Sequence, residues 1–238
     1  MIEPDMATML VYILTDLQVP RDRLRAMLWE KVDSSFNCIS VDSDTSTSDT
    51  VVLVSSGRVE AAESDLLDFE ARLGALCSGL AEDVVRNGEG VGHVIKVQVT
   101  GAPTEALARR LGKAIVNSPL FKTAISGNDP NVGRLLAVVG RVMATESPEA
   151  DMSKTRLSFG GSVVFENNAF CIGPKKEEEL CDLFKGAQIT DGGNHLPYPP
   201  HFRVVPVEVD LGIGKASATV VGSDLSSEYV RINADYRS

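Results

Sequence analysis

Hydrophobic and polar positions follow two periods along the chain, and each stretch predicts an element. Residues 6–14 form a continuous apolar run, too short for an amphipathic helix and β-branched enough for a strand buried on both faces. A helix entered at Pro20 carries Leu24, Met27, Leu28 and Val32 on one side. The polar stretch 42–49 leads into a strand over 50–54. The longest helix is predicted over 59–86, where Leu66, Phe69, Leu73, Leu76, Leu80 and Val84 recur at three- and four-residue steps. Gly88 stands where a left-handed cap would end it. Residues 95–100 alternate as a half-buried strand. A helix over 104–117, a strand over 120–125, and a helix that begins after Asn128, Asp129 and Pro130 and runs to about 143 follow.

From Arg156 onward the pattern is mainly strands, with one charged helix over 176–184. Residues 205–209 and 216–220 alternate and are joined by Gly212, Ile213 and Gly214, which predicts a hairpin; Pro206 would place the first strand at a sheet edge. Residues 147–150 are either a boundary or a loop within one domain. The fold class expected is mixed α/β (α+β), with strands and helices in separate layers.

Composition narrows the function classes. The 238 residues carry 33 acidic against 23 basic side chains, a net charge of -10, which disfavours nucleic acid and anionic membrane surfaces as partners. The apolar runs are too short to span a bilayer, and Glu3 and Asp5 stand where a secretion signal would be positive. Cys38, Cys77, Cys171 and Cys181 show no paired spacing and read as reduced thiols of an intracellular protein.

Three familiar signals fail on context. Gly88, Gly90 and Gly92 resemble a dinucleotide loop, but here a helix precedes and a strand follows, the reverse of that fingerprint. Gly214, Lys215, Ala216 and Ser217 resemble the end of a phosphate-binding loop, yet Val209 occupies the first glycine's place. His195 and His201, near Asp191, lie in a proline-rich loop with no enforced metal geometry, so no metal is expected. Two stretches remain. Thr8, after Ala7, is either an ordinary strand residue or a nucleophile, and residues 42–50 are either a solvated loop or part of a site.

Met1, Ile2, Glu3, Pro4, Asp5, Met6, Ala7, Thr8, Met9 and Leu10 closely resemble the self-cleavage segment of the ornithine acetyltransferase (glutamate N-acetyltransferase) family, the bifunctional proteins of arginine biosynthesis. Residues 35–47 are similar to that family's stretch of Val-Asp-Gly-Asp-Thr-Ser-Thr type, and blocks at 87–90, 117–124, 129–134 and 229–236 follow in family order. The resemblance implies that the chain is the C-terminal β portion of such a fold. Residues 1–7 would be the end of an α chain and residues 8–238 the β chain.

The resemblance further implies self-cleavage between Ala7 and Thr8, followed by acetyl transfer from N-acetylornithine to glutamate through an acetyl-Thr8 intermediate. A freed Thr8 would carry its own base, an α-amine of pKa about 7.7–8.0. Substrate binding carries over to Thr8, Glu89, Asn233 and Ser238. No cofactor is implied, although some family members accept acetyl-CoA as donor. The expected partner is an α chain supplying the oxyanion hole, in a heterotetramer of two α and two β chains, with cytoplasmic or organelle-matrix location. Alternatives are a self-processing amidohydrolase and an inactive β remnant. Departures from the family pattern are Ser43 for glycine, Ser48 for asparagine, Val132 for tryptophan and His93 for lysine.

Overall fold

The structure, a computed structural model, describes residues 9–44, 47–191, 194–195 and 203–235. The chain divides into two compact units, residues 1–84 and 85–238.

In the first unit, β1 (Leu10–Leu17) leads to α1 (Arg21–Asp33), a 3-10 turn at Phe36–Cys38, the short β2 (Ile39–Ser40), β3 (Thr50–Val59) and α2 (Glu63–Arg86). β1 and β3 pair in parallel, from Leu10 opposite Thr50 to Thr15 opposite Ser55, with a bulge before Leu17 meets Val59. Arg23 grips Glu63 through two 2.7 Å hydrogen bonds, and Lys31 reaches Glu70 at 3.2 Å, which ties α1 to α2.

Two expectations for this unit are corrected. The apolar run of β1 is not buried on both faces: Ile13 is buried, while Leu10, Tyr12 and Leu14 are exposed. The long helix begins at Glu63 rather than 59, because the bulge lets β3 continue to Val59; the Asp65 carboxylate then accepts the Ala62 N–H at 2.8 Å and starts the helix. Its buried stripe runs through Leu66, Leu73, Cys77, Ala81 and Val85 and leaves Leu76 exposed.

In the second unit the elements are β4 (Val94–Ala102), α3 (Glu105–Val116), α4 (Pro119–Ser126), α5 (Val132–Glu146), β5 (Arg156–Phe159), β6 (Ser162–Glu166), β7 (Ala169–Phe170), α6 (Pro174–Gly186), β8 (Thr190–Asp191), β9 (Asn194–His195), β10 (Val205–Asp210), β11 (Ala216–Ser223) and α7 (Ser227–Asp235). The main sheet runs in the order β11-β4-β10-β5-β6-β7. β4 and β10 are parallel, and β11 and β5 flank them antiparallel. Thr104 caps α3 by accepting the Leu107 N–H at 3.2 Å. α3 packs on the sheet at Gly112, where a β-carbon would lie 2.6 Å from Val220. Ile95, Val97, Val99, Leu111, Ile115 and Phe121 are among the fully buried core residues. The Phe159 ring meets Phe184 edge-on at 5.3 Å between centroids and stacks on Phe121 at 6.4 Å.

Four more expectations are overturned here. Residues 120–125 are helical, not a strand: Pro119 opens α4, and Phe121, Ala124 and Ile125 are buried while Leu120 and Thr123 are exposed, a helical period. β10 and β11 form no hairpin, because each pairs with a different side of β4. Pro206 is interior rather than at an edge. It escapes the penalty because the β10–β5 register begins at Val207, and its own carbonyl accepts the Gly160 N–H at 3.1 Å. The left-handed glycine after α2 is Gly90, at φ 62°, not Gly88. The 147–150 connection lies inside the second unit, after α5.

Candidate active site

Between α2 and β4 the chain makes a tight turn, in which the Gly88 N–H bonds the Val85 carbonyl at 3.1 Å and the Val91 N–H bonds the Gly88 carbonyl at 3.3 Å. At its tip Gly90 sits against the first turn of α7. A β-carbon there would lie 2.3 Å from the Tyr229 nitrogen and 2.6 Å from its Cα, so no side chain fits. Ser226 holds the contact from both directions, donating its hydroxyl to the Gly90 carbonyl and accepting the Tyr229 N–H at 3.0 Å. The second of these bonds caps α7.

That contact brings Glu89 to Asn233, 144 positions apart in sequence. The Asn233 amide reaches the Glu89 carboxylate at 3.5 Å, the long limit of a hydrogen bond, and donates to the Tyr229 carbonyl at 3.0 Å. Both side chains are exposed. A carboxylate beside a carboxamide offers acceptors to an ammonium group and donors to a carboxylate or amide oxygen, the two ends of an amino acid. One turn away, Arg231 holds the Glu228 carboxyl below the usual carboxylate range through bonds of 2.9 and 2.5 Å.

Below the turn the Asp224 carboxylate accepts the Gly92 N–H at 3.0 Å and meets the His93 ring at 3.0 Å. The Asp224 N–H donates to the His93 carbonyl at 3.0 Å, extending the pairing of Ser223 with Val94.

In the first unit, Met9 is the described residue next to Thr8. Its N–H donates to the Asp49 carboxylate at 2.9 Å, and its carbonyl accepts the Thr50 N–H at 2.9 Å. The Ser/Thr/Asp stretch therefore ends on the residue that follows Thr8. Within that stretch Ser43 sits at φ 73°, in the left-handed region that favours glycine.

Of the site residues expected from sequence, Glu89 and Asn233 are brought together, whereas Ala7, Thr8 and Ser238 lie outside the described residues. Sequence reasoning missed Gly90, Ser226 and Asp224. A serine ahead of Glu228 in the first turn of α7 was the available signal for Ser226. Among the described residues no group of His, Cys, Asp or Glu is arranged to hold a metal ion, and no helix is long and apolar enough to cross a membrane.

A family model described as the ArgJ family matches residues 1–238. The chain belongs to the ArgJ family. It is 43% identical over 239 residues to the arginine biosynthesis bifunctional protein ArgJ of Ruegeria pomeroyi, covering 100% of this chain and 53% of that protein. It is 37% identical over 238 residues to the glutamate N-acetyltransferase Oat2 of Streptomyces clavuligerus, covering 99% of this chain and 56% of that protein. The chain thus spans about half the length of the curated relatives it matches. Among solved structures, the arginine biosynthesis bifunctional protein argJ of Bacillus halodurans superimposes with a TM-score of 0.81 at 32% identity, covering 96% of this chain and 100% of the solved chain. The mixed α/β architecture expected from sequence is that of the family.

Proposed function

We propose that this chain is the β portion of an acetyltransferase of arginine biosynthesis. It would move the acetyl group of N-acetylornithine to glutamate through Thr8, after self-cleavage between Ala7 and Thr8. The observation that carries this reading is the Glu89–Asn233 pair, a carboxylate and a carboxamide held side by side from opposite ends of the second unit. The names of the family's relatives support the reaction class. Two-chain organisation is supported by the Bacillus halodurans structure, in which one solved chain is matched over its whole length although curated relatives are matched over about half. The exposed Leu10, Tyr12 and Leu14 support it too. A parallel strand pair ordinarily has both faces covered, and an α portion would supply that cover.

In cleavage, the Thr8 hydroxyl would attack the Ala7 carbonyl, the peptide nitrogen would leave as the new α-amine, and water would hydrolyse the ester. In turnover, the hydroxyl would give its proton to that amine and attack the acetamide carbon of N-acetylornithine. Ornithine would leave with the proton, and the glutamate amine would then take the acetyl group from the ester. Glu89 would pair with a substrate ammonium and Asn233 would bond its polar oxygens, with Ser238 the third substrate-binding residue that the resemblance implies.

The test is intact mass of the chain produced together with the N-terminal half of the family protein. Loss of residues 1–7 and a mass gain of one acetyl group after exposure to N-acetylornithine are expected, and Thr8→Ala should abolish both. An adduct persisting in Thr8→Ala refutes the nucleophile. Acetate release without any dependence on glutamate would show a hydrolase instead.

A further inference from the structure

The most deeply buried polar group near the turn is one the proposed chemistry does not use. His93 is 1% exposed and Asp224 3% exposed. The ring Nδ1 meets an Asp224 carboxylate oxygen at 3.0 Å, while Nε2 faces the Asn128 side-chain oxygen at 3.1 Å and the Phe184 carbonyl at 3.2 Å. A backbone carbonyl can only accept, so Nε2 carries a proton. The other Asp224 oxygen accepts the Gly92 N–H.

This cluster joins the turn after α2, the α4–α5 connection, the end of α6 and the entry to α7. Its members stand beside the functional pair: Gly92 is three residues after Glu89, and Asp224 is two before Ser226, which holds Gly90 and caps α7. The turn is thus tied to α7 twice, by Ser226 at its tip and by Asp224 and His93 at its base. The outer tie and the Glu89–Asn233 pair border solvent, while the inner tie is desolvated, where a hydrogen-bonded pair holds its geometry against water.

We infer that Asp224 and His93 are positioning residues that set the distance between Glu89 and Asn233, and through it the affinity for the amino-acid end of the substrate. This rests on the reading that Glu89 binds substrate, and the test separates the two. Asp224→Ala removes the acceptor for both the Gly92 N–H and the ring. Asp224→Asn keeps one oxygen for Gly92 and offers an N–H to Nδ1, so it leaves the network satisfied. Gly92→Ala is the gentlest probe, since its β-carbon would lie 2.9 Å from an Asp224 carboxylate oxygen and push it off the ring.

The experiment measures KM and kcat for N-acetylornithine in the enzyme assembled with its N-terminal half, with Glu89→Ala alongside. Asp224→Ala and Gly92→Ala should raise KM by about 10- to 100-fold with little change in kcat, and Asp224→Asn should return it to within about threefold. If Glu89→Ala raises KM but Gly92→Ala and Asp224→Ala do not, the inference is overturned and the Glu89 role stands. If Glu89→Ala leaves KM unchanged, the substrate-binding reading itself fails. Where Asp224→Ala does not fold, Gly92→Ala decides on the same KM criterion.

Discussion

Replacing Gly90 by alanine imposes two costs that a second glycine can separate. The backbone there has φ 62°, in the left-handed region, where a β-carbon costs about 1–2 kcal/mol. The same β-carbon would also lie 2.3 Å from the Tyr229 nitrogen, 2.6 Å from its Cα and 2.8 Å from the Glu228 carbonyl carbon. Those are backbone atoms, which cannot swing aside as a side-chain end can, so α7 must move; overpacking of this kind costs about 1–3 kcal/mol. Together the loss should be about 2–5 kcal/mol, or roughly 5–20 °C in Tm for a protein of this size. Gly161 is the control: its φ is 78°, but a β-carbon there meets nothing within 4 Å, so Gly161→Ala should lose only the conformational part, about 1–2 kcal/mol. Urea unfolding followed by far-UV circular dichroism suits the comparison, because Trp29 lies in the first unit. Equal losses at the two positions would refute the claim that Gly90 is required by the close approach of α7.

Two further outcomes follow from the first unit. Ser43→Gly should stabilise the protein by about 0.5–1 kcal/mol in a urea titration, since relief of the left-handed strain at φ 73° exceeds the extra chain entropy of glycine; a loss of stability would show that the serine hydroxyl contributes more than the strain costs. Cys77 is buried, and burial pushes its thiol pKa up while Lys31 opposes the shift. A raised folded value means that this group's contribution to stability is full below the unfolded thiol pKa of about 8.5 and falls as pH rises toward the folded one. Native labelling by a thiol reagent should therefore reach Cys171 and Cys181 first, with Cys77 labelled only as fast as the protein opens; equal rates for all of them would contradict its burial.

The well-read elements were those whose pattern was long or clearly capped. The alternation of β4 and the Thr104 start of α3 emerged as expected, because one face of each is covered by the same core. α4 was misread because a run of eight residues shows little more than two helical turns, and its opening Pro119 was the decisive signal. Non-local pairing was not legible at all. Nothing in residues 205–220 says that the strands flank β4 rather than each other, since alternation reports a face and not a neighbour. The site was legible only through family blocks: Glu89 and Asn233 are ordinary surface residues by composition, and they meet where Gly90 and Ser226 join the turn to α7.

The blocks at 87–90 and 229–236 that carry the resemblance meet each other through Gly90 on Tyr229 and Glu89 beside Asn233. A core position accepts several apolar side chains if volume is kept, whereas a backbone-to-backbone approach such as Gly90 on Tyr229 accepts one residue type. The constraint on this turn is steric before it is chemical. At the base of the turn the buried His93 ring faces the Asp224 carboxylate with one nitrogen while the other reaches the Phe184 carbonyl. The base of the turn asks that hydrogen-bonding roles be filled without added bulk, and its tip leaves no room for a β-carbon at all, since one at Gly90 would push α7 away from the turn that carries Glu89.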